Sequence, residues 1–121
     1  MKYNITSMNE DIAKEISNWK YEGEYGIYNT ESFEEMKKKQ MSLVNPEKSK
    51  NYMCFFDSVN NNLIAYINIL KKDNEDIFIG IGLKPDFCGK GLGAEILNMG
   101  IEEAISRYPN NQIVLQVRSW N

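Results

Sequence analysis

The chain has 121 residues, enough for one domain with a small hydrophobic core, and we expect residues 1–121 to form that single domain. The net charge is −3, and no apolar run approaches the ~18–20 residues of a membrane span, so the sequence predicts neither nucleic-acid nor membrane binding. The absence of histidine excludes His-based zinc sites, Ser-His-Asp triads and Cys-His dyads, and no metal is predicted. Two cysteines and an N-terminus without an apolar signal region indicate reduced thiols in a cytoplasmic protein.

The N-terminal part of the chain is predicted to form one short strand and two helices. Residues 2–7 alternate as a strand does, and Asn9 is a suitable N-cap for the first helix. The apolar residues that follow this cap have helical spacing: Ile12, Ala13, Ile16 and Trp19. A second helix is predicted to begin at Ser32, or two residues before it, and to end before Pro46. The Tyr- and Gly-rich residues 18–29 between the helices predict a loop or an irregular helix.

The middle of the chain predicts three antiparallel strands. Residues 51–57 are rich in aromatic side chains, residues 63–70 are the most apolar stretch, and residues 76–83 alternate between isoleucine and other residues. Short turn-forming segments separate them, which favours a meander. Gly80 and Gly82 share one face of the third strand, where we expect them to let the following helix pack closely, to keep room for a ligand, or both.

The C-terminal part predicts a parallel step. Pro85 ends the third strand of the meander, a Gly-rich turn follows, and residues 92–108 form an amphipathic helix. Gly100 within that helix is expected to serve close packing against the sheet. Residues 113–117 alternate in a last strand, so strand, turn, helix and strand form a βαβ unit with parallel strands. The predicted fold is therefore α+β (mixed α/β), an antiparallel meander plus one parallel step.

The Gly-rich turn predicts a site for a phosphate or pyrophosphate. Gly89, Gly91 and Gly93 stand where a helix begins, with its unpaired N–H groups and about +0.5 charge, and Lys90 adds a positive side chain. A Walker P-loop is excluded, because the spacing and the hydroxyl residue are wrong. Gly89-x-Gly91-x-x-Ala94 fits a dinucleotide fingerprint, but the expected acidic residue roughly 20 positions on is missing. A tight turn without a ligand remains an alternative.

The segment 79–93 resembles the acetyl-CoA-binding motif of the GCN5-related N-acetyltransferase (GNAT) superfamily. In that family a strand with a hydrophobic-x-Pro ending leads into a turn written Gln/Arg-x-x-Gly-x-Gly/Ala. The matching positions are Leu83-x-Pro85 and Gly91-x-Gly93, whereas Cys88 stands in place of Gln/Arg. The order of the predicted elements also resembles the family, and residues 117–121 resemble the end of its fifth strand. A spaced aromatic motif resembles one of bacterial members: Trp19-x-Tyr21-x-x-x-Tyr25-x-x-Tyr28.

The resemblance implies an acyl-CoA N-acyltransferase-like fold and an N-acetyltransferase that moves an acetyl group from acetyl-CoA to a primary amine of a small molecule or a protein. The alternative is an acyl-CoA-binding or regulatory module without turnover. Complete members continue past the residue that matches Asn121 into a helix with a tyrosine and two strands, so this chain is expected to be a C-terminally truncated form with impaired transfer. It is also expected to self-associate, as a homodimer, through the edge of its last strand at residues 112–118 or the apolar surface beside it.

The resemblance assigns residues to two sites. The residues expected to bind acetyl-CoA are Ile81, Gly82, Leu83, Cys88, Gly89, Lys90, Gly91, Leu92, Gly93, Ala94 and Asn121. Those expected to line the acceptor pocket are Trp19, Tyr21, Glu22, Tyr25 and Tyr28. The aromatic residues among them have a second interpretation, as covers for the core, and Glu22 has one as a solvated loop charge. No catalytic acid or base is assigned.

The two cysteines are expected to differ in reactivity. Cys88 precedes a helix N-terminus and is close to Lys90, a setting that lowers the pKa of a thiol. Cys54 lies in an apolar strand and is expected to be an inert part of the core. Alkylation is therefore expected to modify Cys88 before Cys54.

Overall fold

The computed structural model of the chain describes residues 2–21 and 31–116, in which five strands form one sheet. The strands are β1 (Tyr3–Thr6), β2 (Tyr52–Asp57), β3 (Leu63–Lys71), β4 (Ile77–Leu83) and β5 (Ile113–Gln116). The helices are α1 (Glu10–Ser17), α2 (Phe33–Lys38) and α3 (Leu92–Arg107). Short 3₁₀ turns are Ser42–Val44, Pro46–Asn51 and Pro85–Phe87.

The order of the strands in the sheet equals their order in the sequence. Each neighbouring pair from β1 to β4 is antiparallel, whereas β4 and β5 are parallel, with Ile77 opposite Ile113 and Gly80 opposite Gln116. The helix α3 connects the parallel pair, because parallel strands require a long crossover. These observations confirm the predicted α+β fold, the meander and the parallel step.

The two N-terminal helices begin where the sequence predicts, but α1 ends at Ser17, before the Trp19 that the predicted helix included, with Asn18 as its C-cap. The side chain of Asn9 caps α1 by accepting a hydrogen bond from the backbone N–H of Ile12 at 2.8 Å, and Ser32 caps α2. The second helix ends earlier than predicted, at Lys38, because Gln40 adopts a left-handed conformation with φ 53° that no helix can continue through. The predicted loop or irregular helix over residues 18–29 lies mostly outside the described residues.

Two hydrophobic clusters cover the opposite faces of the sheet. The α1 cluster contains Met8, Ile12, Ala13, Ile16, Trp19, Met36, Leu43, Tyr52, Cys54 and Leu63. The α3 cluster contains Met53, Phe55, Ile64, Ala65, Ile67, Ile69, Ile77, Ile79, Ile96 and Ala104. In the middle of β3 the two faces alternate, since Tyr66 packs on the α1 cluster while its neighbour Ile67 lies in the α3 cluster.

The glycines of β4 do not serve the packing of α3, contrary to one sequence-based interpretation. Gly82 lies directly opposite Tyr66 in the antiparallel register, and a Cβ at Gly82 would lie 2.5 Å from that ring. Gly80 and Gly82 therefore face the α1 cluster, on the side away from α3. The predicted role of Gly100 in close packing of α3 on the sheet is confirmed, because a Cβ there would lie 3.0–3.2 Å from the side chain of Ile67.

In residues 2–21 and 31–116, no helix is long and apolar enough to cross a membrane.

Candidate functional site

The turn that precedes α3 is held in a conformation that favours glycine. Gly89 and Gly91 have φ values of 78° and 79°, in the left-handed region that strains other residues. Gly91 is the N-cap of the 16-residue helix, and no heavy atom of residues 2–21 or 31–116 lies within 4 Å of the position that a Cβ would take at either glycine. The space beside both glycines is therefore open, and the unpaired backbone N–H groups of a helix start suit an anion such as a phosphate.

The two residues next to these glycines contribute in different ways. Gly93 lies in the first turn of α3, where a Cβ would come within 3.3 Å of the side chain of Leu83, so its absence lets the helix approach β4. Lys90 is exposed and lies 5.8 Å from the centroid of the Phe87 ring. Its ammonium group adds a positive charge at the start of the helix, where the helix dipole is also positive. Both contributions favour an anion at this turn, which is flanked by the carboxylates of Asp86 and Glu95.

The surroundings of Cys88 and the pKa of its thiol differ from the prediction. It lies four residues before the first residue of α3 and is half-buried, with its sulfur 3.8 Å from the carbonyl oxygen of Lys84 and 4.0 Å from that of Leu83. Burial raises the pKa of the Cys88 thiol, because desolvation disfavours the thiolate. The expected lowering of this pKa is therefore wrong. The order of alkylation stays a prediction, since Cys54 is fully buried and its pKa is raised to about 12.

The C-terminal end of β4 lies beside this turn. Residues 81–83 continue β4 beyond Gly80, where its described pairing with β5 ends. The backbone N–H of Lys84 donates to the carbonyl oxygen of Ile64 at 2.8 Å, which ties the end of the strand to β3. The end of β4 and the start of α3 are thus fixed next to each other. The structure brings together ten of the eleven predicted cofactor-binding residues, and Asn121 lies outside the described residues.

The predicted acceptor residues divide into two groups. Trp19 is 5% exposed and stacks on Tyr66 with ring centroids 6.2 Å apart, so it belongs to the core. The hydroxyl of Tyr21 donates a hydrogen bond to the carbonyl oxygen of Leu83, which brings Tyr21 to the end of β4. Burial raises the pKa of Tyr21, with smaller contributions from Cys88 and Tyr66, so the phenol stays protonated. The other three predicted residues, Glu22, Tyr25 and Tyr28, lie outside the described residues.

Two residues beside the site were missed by the sequence reasoning. Tyr66 and Asn68 lie on the face of β3 that meets Gly82 and Gly80 of β4. The signal that would have found them is their spacing, because they are the polar interruptions, two residues apart, in an otherwise apolar strand. In the described part of the chain, no group of three or more Cys, Asp or Glu residues is placed to hold a metal ion.

A sequence profile of the acetyltransferase (GNAT) family matches residues 13–121. The chain belongs to this family. The match covers the Gly-rich turn, α3 and all strands except β1. It confirms the resemblance drawn from residues 79–93, and it gives acetyl transfer as the general class of reaction.

Solved structures of GNAT proteins share the fold. A GNAT acetyltransferase of Bacillus anthracis superposes with a TM-score of 0.73 at 12% identity, over 100% of this chain and 73% of that one. A chimera of the Vibrio cholerae spermidine N-acetyltransferase SpeG and hSSAT gives 0.71 at 18% identity, over 95% and 70%. A GCN5-related N-acetyltransferase of Sphaerobacter thermophilus gives 0.70 at 15% identity, over 98% of this chain but only 39% of that one. No protein with a curated description matches the sequence.

Proposed function

We propose that this GNAT chain is an N-acetyltransferase that transfers the acetyl group of acetyl-CoA to a primary amine of a small molecule or a protein. The observation that carries the proposal is the turn with two left-handed glycines at the start of the 16-residue helix α3. Such a turn binds a pyrophosphate through backbone N–H groups. Membership of the acetyltransferase family makes CoA the pyrophosphate compound that fits this turn best.

The residues that would hold the cosubstrate lie in two stretches of chain. The N–H groups of residues 89–94 and the ammonium group of Lys90 would bind the pyrophosphate, whereas the N–H of Cys88 already donates to the carbonyl oxygen of Pro85 at 3.2 Å. The edge of β4 at residues 81–83 would bind the pantetheine arm through its backbone, as the family resemblance implies. Asn121 stays a predicted contact.

The reaction requires a neutral amine. A lysine-like amine with a pKa of about 10.4 costs about 4.6 kcal/mol to deprotonate at pH 7, whereas an α-amine near 7.7–8.0 costs only about 1 kcal/mol. The amine nitrogen attacks the thioester carbon and the C–N bond forms. The C–S bond then breaks, the nitrogen gives up one proton, and the CoA thiolate takes one. A backbone N–H of residues 81–83 is our candidate donor to the carbonyl oxygen as it gains negative charge.

The first test is the affinity for CoA, measured by calorimetry. We expect Lys90→Glu to weaken binding about tenfold at low salt, because a carboxylate would face the pyrophosphate, and we expect the loss to shrink at high salt. Lys14→Glu is the matched control, since Lys14 is also exposed but lies on α1, and the variant changes the net charge equally. A wild-type chain that does not bind CoA, or equal losses in both variants, would contradict the assignment of the site.

The second test is turnover. Release of free CoA from acetyl-CoA should depend on an added amine, in a panel that includes spermidine and α-amino compounds. Binding of CoA without amine-dependent release would favour the alternative, an acyl-CoA-binding or regulatory module. The homodimer, which light scattering would detect, and the cytoplasmic location stay predictions.

A further inference from the structure

A recess lies on the face of the sheet that carries the α1 cluster. Its floor is a row of residues placed side by side by the strand register, in which Asn68 of β3 lies opposite Gly80 of β4 on one side and Tyr52 of β2 on the other. Because side chains alternate along a strand, Asn68 shares its face with Tyr66, two residues earlier. The row thus presents one carboxamide beside one glycine.

The space over Gly80 is open, whereas the space over Gly82 is filled. In the described part of the chain, no heavy atom lies within 4 Å of the position of a Cβ at Gly80. A Cβ at Gly82 would lie only 2.5–2.7 Å from three ring carbons of Tyr66. Tyr66 therefore closes the recess toward the C-terminal end of β4, and the missing side chain of Gly80 leaves room next to Asn68.

Asn68 is a polar residue in this recess whose side chain has no hydrogen-bond partner among residues 2–21 and 31–116. Its side chain is half-buried and makes no hydrogen bond with any residue of the described ranges. Its neighbour Tyr52 is already engaged, because its hydroxyl lies 2.7 Å from that of Ser42. A half-buried carboxamide without a partner loses part of its hydration for no compensating bond, so a ligand that supplies an N–H donor would be stabilised there.

We propose that Asn68 binds the acceptor amine, with its Oδ1 atom accepting a hydrogen bond from the nitrogen that is to be acetylated. This inference rests on the proposed function. Gly80 is three residues before Leu83, about 10 Å along the strand. With the pyrophosphate at the turn after Leu83, an extended pantetheine arm along β4 brings the thioester to the level of Gly80. An N–H bond to Asn68 leaves the nitrogen lone pair free for the thioester carbon.

The experiment uses two stable CoA derivatives whose sulfur carries –CH₂–CO–NH–CH₃ or –CH₂–CO–N(CH₃)₂. The first has an N–H where the acceptor nitrogen would lie, and the second lacks it, so the test does not depend on the identity of the acceptor. Calorimetry should show that the wild-type chain binds the monomethyl amide about tenfold more tightly than the dimethyl amide, the typical effect of one such hydrogen bond. Asn68→Leu should abolish this preference and leave the affinity for CoA unchanged.

Two further variants keep the test decisive. Asn4→Leu is the matched control, because Asn4 lies exposed on the edge strand β1, and it should keep the preference. Gly80→Ala fills the recess from the neighbouring strand β4, so it should weaken binding of the monomethyl amide without changing the affinity for CoA. This variant keeps the test decisive even if Asn68→Leu does not fold. A preference that persists in Asn68→Leu, or that is absent from a wild-type chain that binds CoA, overturns the inference. A wild-type chain that does not bind CoA overturns the proposed function, and the inference with it.

Discussion

At the scale of single residues, Gly80 and Gly82 form a matched pair for a stability measurement. They lie on the same strand and the same face, but only the Cβ of Gly82→Ala would collide with the ring of Tyr66. That ring is stacked on Trp19 and cannot retreat without disturbing it. We expect Gly82→Ala to lower the free energy of unfolding by about 1–3 kcal/mol and Gly80→Ala to change it by less than about 0.5 kcal/mol. Urea unfolding measures both changes in stability. Equal losses in the two variants would contradict the different surroundings of the two glycines.

The buried thiol of Cys54 predicts a loss of stability at alkaline pH. Desolvation raises its pKa from 9.0 to about 12, so above pH 9 the unfolded chain loses a proton that the folded chain keeps. The contribution of this thiol is fully present below pH 9 and is lost as the pH rises toward 12. Cys54→Ala should reduce the fall in the free energy of unfolding between pH 7.5 and pH 10. In contrast, Cys88→Ala should leave most of this fall in the free energy of unfolding unchanged, because Cys88 is only half-buried. If the free energy of unfolding fell with pH equally in wild type and in Cys54→Ala, the Cys54 thiol would not be the origin of the loss.

At the scale of elements, the contact between α3 and β3 depends on Gly100. Alanine would favour the helix by about 1 kcal/mol, but its Cβ would lie 3.0–3.2 Å from three atoms of Ile67, which is fully buried in the α3 cluster. We therefore expect Gly100→Ala to destabilise the fold by about 1 kcal/mol despite its better propensity.

The same contact supplies its own control. Ile67→Val removes the Cδ1 atom, one of those that the new Cβ would meet, so Gly100→Ala should cost less in an Ile67→Val background than in the wild type. Strictly additive costs in urea unfolding would show that the helix shifts away instead of pressing on Ile67.

At the scale of the whole molecule, the two clusters share one sheet and should unfold together. Ile96 is fully buried in the α3 cluster, and Trp19 lies in the α1 cluster on the opposite face. Ile96→Ala should cost about 2–5 kcal/mol, and the same shift should appear in the fluorescence of Trp19 and in far-UV circular dichroism. A Trp120→Phe background isolates the signal of Trp19. Separate transitions for the two probes would mean that the faces unfold independently.

The sequence by itself determined the features that depend on local chemistry. The cap at Asn9, the strands bounded by turn residues and the crossover helix after the Gly-rich turn all follow from short-range geometry, and the structure has them. The glycines at 89 and 91 also follow locally, because a turn with φ near 80° favours glycine over residues that carry a Cβ. The early ends of α1 at Ser17 and of α2 at Lys38 are local features that the periodicity did not predict.

The tertiary structure decided the features that depend on which strands and faces meet. The packing of Tyr66 on the α1 cluster, and not the sequence of β4, put Gly82 under that ring. Burial at the end of β4 raised the pKa of the Cys88 thiol, although the local sequence suggested the opposite. The juxtaposition of Asn68 with Gly80 arises from the register between β3 and β4. Register is a long-range property that shifts every side chain when it slips by one residue, so no single segment could reveal it.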